Sequence, residues 1–72
     1  MELAPLVETK VVDLCYREMG GIAVTLFLER GTSNTYVEYI DHKTGDFFRA
    51  DTPEGANPMH VFNHPNVYRP EV

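Results

Sequence analysis

The tetrapeptide His42-Lys43-Thr44-Gly45 lies between Asp41 and Asp46 and joins two runs in which apolar and polar residues alternate. Gly45 tolerates positive φ, and Asp41 is placed to accept hydrogen bonds from the turn N–H groups with Thr44 assisting. That is the chemistry of a four-residue hairpin loop built around a type I turn. A loop of equal apparent length, Gly31-Thr32-Ser33-Asn34, ends on Asn34, which also tolerates positive φ. The two loops link strand-like runs over about 22–30, 35–41 and 47–51 into an antiparallel meander, and a meander decides which side chains share a face.

Four-residue loops set the register. Across the first loop Leu28 is expected opposite Val37 and Leu26 opposite Tyr39. Across the second, Tyr39 is expected opposite Phe48, Val37 opposite Ala50 and Glu38 opposite Arg49, the last a favourable pairing of unlike charges. Because side chains alternate along a strand, Ile22, Val24, Leu26, Leu28, Val37, Tyr39, Phe48 and Ala50 then form one uncharged face, the core. The opposite face carries Ala23, Thr25, Phe27, Glu29, Tyr36, Glu38, Ile40, Phe47, Arg49 and Asp51. Phe27, Tyr36, Ile40 and Phe47 give this mixed face an apolar and aromatic character that a fully solvated surface does not need.

The segment before Gly20 fits two patterns. As a strand over about 10–18, with Met19-Gly20-Gly21 as a three-residue loop, it sets Tyr16, Leu14 and Val12 against Val24, Leu26 and Leu28. Asp13, Arg17 and Cys15 then go to the mixed face, with Cys15 near Thr25. As a helix over 6–19 packed on a three-stranded sheet, it gathers Val7, Val11, Leu14 and Cys15 on one stripe and ends on Gly20. The strand is the preferred expectation, because it adds three apolar residues to the core face.

Beyond Asp51 the strand pattern stops. Thr52-Pro53-Glu54-Gly55 reads as a turn, Asn57 as an N-cap and Pro58 as the first residue of a short helix over about 58–63, which ends before His64-Pro65. Met59 and Phe62 share one face of that helix and are the expected plug over the sheet. The fold class is therefore α+β, mostly β: a three- to four-stranded antiparallel meander with one C-terminal helix. Residues 1–72 are read as a single small domain with loose ends at 1–5 and 66–72.

A domain this short buries only about 60% of the surface its unfolded chain exposes, so a partner or a second copy is a natural source of stability. Cys15 is the single cysteine, which excludes an internal disulfide and points to a reducing, cytoplasmic setting. The first residues lack the basic start and apolar stretch of a signal peptide, and no run approaches the ~20 apolar residues of a membrane span. Six Lys and Arg, scattered along the chain against eleven Asp and Glu, disfavour a nucleic-acid partner, because phosphate binding concentrates positive charge on one face.

Residues suited to chemistry are sparse. His60 and His64 have the i,i+4 spacing that can begin a metal site, but the intervening residues lack the glutamate of a zinc-protease motif, and the third ligand would have to be His42 or an acidic side chain. Cys15 has no catalytic signature around it. Asp41 and Asp46 lack the pattern of a calcium loop, and Gly20-Gly21 lacks the context of a phosphate cradle. The expectation is a non-enzymatic protein-interaction module without catalytic residues, metal or cofactor. It would self-associate as a homodimer or act as an adaptor or inhibitor through Phe27, Tyr36, Ile40 and Phe47. The alternative is a small ligand- or metal-binding domain built on the histidines near the C-terminal helix.

Overall fold

The computed structural model describes residues 11–70. Four strands, β1 (Val11–Met19), β2 (Ile22–Glu29), β3 (Asn34–Asp41) and β4 (Asp46–Asp51), form one antiparallel sheet in the order β1-β2-β3-β4. A helix α1 (Pro58–Asn63) and a 3-10 turn (Pro65–Tyr68) follow. The meander and the C-terminal helix are thus as the sequence predicts. The strand expected to begin at residue 10 begins, among the described residues, at Val11. Over 11–19 the alternative N-terminal helix is replaced by strand, and its remaining residues lie outside those described, as do residues 1–5.

The β3–β4 hairpin matches the expected register, with Tyr39 opposite Phe48, Val37 opposite Ala50 and Glu38 opposite Arg49. Its loop is held as the residue types dictate. Asp41 Oδ1 accepts from the Lys43 and Thr44 N–H groups at 2.9 and 3.3 Å, Thr44 Oγ1 accepts from Asp46 N–H at 3.2 Å, and Gly45 lies at φ 79°.

The β2–β3 hairpin is displaced by two residues from expectation. Leu26 faces Val37, Val24 faces Tyr39 and Leu28 faces Thr35, around a loop of Arg30–Ser33 in which Ser33, not Asn34, takes positive φ at 63°. Asn34 instead starts β3 opposite Glu29. An even slip leaves every side chain on its expected face, so the core face is unchanged.

The β1–β2 hairpin departs further. Its loop is the two residues Gly20 and Gly21, both at positive φ (62° and 86°), the requirement of a type I′ turn. Removing one loop residue shifts the pairing by one and inverts the faces. Arg17 now opposes Val24 and Cys15 opposes Leu26, both on the core face, while Tyr16 opposes Thr25 on the other. A β-bulge at Leu14 restores the alternation, so that Val12 faces Leu28 as expected. Leu14 and Tyr16, expected in the core, are exposed, and Cys15 packs against the core instead of the mixed face.

Val24, Leu26, Val37, Tyr39, Phe48 and Ala50 form the core together with Val61 and Phe62 of α1. Asn57 caps α1, accepting from Met59 N–H at 2.9 Å, and Pro58 follows it. The plug is Val61 and Phe62. Met59 is 42% exposed, because a six-residue helix lying on the sheet buries adjacent positions of one short arc. Of the end expected to be loose, 66–72, residues 66–68 belong to the 3-10 turn, which places Tyr68 against the core, and residues 71–72 lie outside those described. Arg69 donates to Asp46 Oδ1 at 2.8 Å and lies 4.6 Å from the Phe48 ring centroid. Among the described residues no helix is long and apolar enough to cross a membrane.

Candidate functional site

α1 and the 3-10 turn lie on the core face, and among the described residues neither helical element packs on the opposite face of the sheet. All four predicted interface residues are on it. Phe27 and Tyr36 are directly opposed across β2 and β3, with rings stacked at 5.2 Å between centroids and 26° between planes. Arg49 of β4 covers the other side of Tyr36, its guanidinium carbon 3.7 Å from the ring centroid. Tyr36 is therefore only 8% exposed, sealed within a row of Phe27, Tyr36 and Arg49. The accessible apolar surface is carried by Phe47, 55% exposed, with Ile40 half-buried opposite it.

Arg49 does not pair with Glu38, as its register position suggested. Its guanidinium turns along its own strand to Asp51 Oδ1, with Nη2 at 3.0 Å, a geometry that also keeps the cation over Tyr36.

The two-residue β1–β2 turn adds to this face side chains that the sequence reading omitted. Tyr16 is 58% exposed and its hydroxyl donates to Glu18 Oε1 at 2.9 Å. That bond holds the Tyr16 pKa above its usual value. The only signal for this placement is the Gly-Gly pair, which permits a type I′ turn but also the longer loop. With β1 in register, the face carries Asp13, Glu18, Glu29, Glu38 and Asp51, against Arg49 as its one cation among the described residues. It is an aromatic surface set in carboxylates.

The histidines are arranged differently from a ligand set. His60 Nδ1 and the Tyr68 hydroxyl are 2.6 Å apart, and the His60 and His64 rings are 4.8 Å apart at an angle of 47°. Both are exposed. Among the described residues, no three His, Cys, Asp or Glu side chains come together as a metal-binding group, so His42 does not complete a site with this pair.

Beside the histidines, a cleft of about 350 Å³ opens between the sheet and the junction of α1 with the 3-10 turn, and Arg17 and His64 line it. No family model, curated protein or solved structure matches the chain.

Proposed function

We propose that this protein is a small, non-enzymatic interaction module that docks a basic protein partner on the outer face of its sheet, in a reducing, cytoplasmic setting consistent with its single unbridged thiol. The observation that carries this reading is the coincidence on one rigid surface of exposed aromatic area and one sign of charge. Phe47 and Tyr16 present apolar surface, the Phe27–Tyr36–Arg49 row stiffens the ground beneath them, and the carboxylates of Asp13, Glu18, Glu29, Glu38 and Asp51 surround them. Interfaces favour aromatic anchors whose side-chain entropy is already restricted, with charge complementarity selecting the partner and speeding encounter.

The same charge pattern weighs against a second copy as the occupant. Two such faces brought together would oppose carboxylates to carboxylates, and like-charge juxtaposition is one device by which surfaces reject a partner. A partner with Lys or Arg around an apolar centre meets both features.

The test is capture from native host extract by the wild-type chain, followed by affinity measurement with the purified partner. Phe47→Asp alters an exposed side chain and should weaken binding by roughly tenfold or more. Val67→Asp, on the 3-10 turn of the opposite face, should leave it unchanged. Equal binding by wild type and Phe47→Asp, or equal loss in both variants, contradicts the proposal.

A further inference from the structure

Arg17 is the one charged side chain of β1 that the register directs to the core face, opposite Val24. It crosses beneath α1, where its Nη2 donates to the Phe62 carbonyl at 2.8 Å and its guanidinium carbon lies 5.1 Å from the Phe62 ring centroid. A cation at the last carbonyls of a helix is a normal capping arrangement. It accounts for one donor only. Nε is buried with no acceptor, and Arg17 makes no ion pair with a carboxylate among the described residues. A buried donor on a charged group that lacks an acceptor is costly, and such groups call for an explanation.

Nε itself is closed off from solvent, but the Arg17 side chain also lines a cleft of about 350 Å³. Its polar wall is Arg17 with Asn63, His64 and Asn66, and among the described residues no carboxylate lines it, in a chain whose net charge is −5. Its apolar wall is formed by Ile22, Val24 and Val67. The volume is at the lower end of the range for small-molecule sites, about 300–1,000 Å³. A cleft with one polar and one apolar wall, and a guanidinium that makes no ion pair among the described residues, suits a ligand with an anionic head and a short apolar body, because guanidinium and carboxylate match in charge and in planar geometry.

We propose that this cleft binds a small organic monocarboxylate, its carboxylate held at Arg17 with the Asn63, His64 and Asn66 side chains around it and its hydrocarbon against Ile22, Val24 and Val67. The site is on the opposite side of the sheet from the protein-docking face and does not depend on it.

The test is a titration of the full-length ¹⁵N-labelled chain with hexanoate, hexanol and acetate, read from amide shifts. Hexanoate should give saturable shifts at Arg17, Ile22 and residues 63–67, with a dissociation constant on the order of 1 mM. Hexanol, which lacks the charge, and acetate, which lacks the apolar body, should each bind at least about tenfold more weakly. Arg17→Gln should abolish the hexanoate response. Val67→Asp, at a position 71% exposed and so safe for folding, should weaken it about tenfold by placing a carboxylate on the cleft wall, whereas Val67→Asn, which loses the same apolar contact without adding charge, should weaken it measurably less. Hexanol or acetate binding as tightly as hexanoate, a hexanoate response unchanged by Val67→Asp, or no saturable response overturns the assignment. The wild-type ligand series and the Val67 pair decide the matter even if Arg17→Gln fails to fold.

Discussion

Single residues carry most of the information about where this chain departs from expectation. Ser33 occupies a left-handed conformation that costs an L-residue about 1–2 kcal/mol, offset in part by the smaller chain entropy of Ser relative to Gly in the unfolded state. Ser33→Gly should therefore stabilise the protein by up to about 1 kcal/mol in urea denaturation, and a loss of stability would contradict the loop assignment. Asp46 gives a pH signature. Its hydrogen bond from Arg69 lowers its pKa from the usual 3.8, so the ionised form is favoured by folding. A depressed folded pKa contributes stability that is fully present above the unfolded value and is lost as pH falls through the folded value. The difference in melting temperature between wild type and Asp46→Asn should hold steady at neutral pH and close progressively below pH 3.8.

At the scale of elements, legibility followed turn chemistry. The β3–β4 hairpin could be read to the residue because Asp41, Thr44 and Gly45 each have one evident use in a four-residue loop. The β2–β3 loop offered two residues that could turn left-handed, and the pattern favoured Asn34 because Asn tolerates that conformation more readily than Ser. The slip was even, so the faces survived. In β1 an odd slip and a bulge nearly compensated: Val12 and Asp13 kept their expected faces while Cys15, Tyr16 and Arg17 changed sides. The Gly20-Gly21 pair permits either loop length, and the loop length sets the faces of residues 15–18, so neither the Arg17 cleft nor the contribution of Tyr16 to the outer face was legible. The placement of Phe27, Tyr36, Ile40 and Phe47 on one face was, because they lie on β2, β3 and β4, where faces were secure. For α1, the sequence pointed to Met59 and Phe62, and the sheet selected Val61 and Phe62. Val61 is 0% exposed, so Val61→Ala should cost about 2 kcal/mol, while Met59→Ala should cost less than about 0.5 kcal/mol in the same thermal or chemical denaturation.

On the docking proposal, the outer face of the whole molecule is the surface for a protein partner, and the packing that holds the fold together is on the other side of the sheet. Its core face is closed by α1, the 3-10 turn and the Arg69–Asp46 clasp, whereas the outer face keeps aromatic area among carboxylates. That division predicts a monomer in sedimentation velocity across a wide concentration range, since like charge discourages self-pairing of the outer face. It also predicts partner affinity that falls as ionic strength rises, because screening weakens exposed charge pairs. The most direct measurement is an amide-shift map of the ¹⁵N-labelled chain with its captured partner. Docking as proposed predicts shifts concentrated at Tyr16, Phe27, Tyr36, Ile40 and Phe47, with residues 58–68 unmoved; shifts gathered on α1 and the 3-10 turn, with the outer face silent, would contradict it.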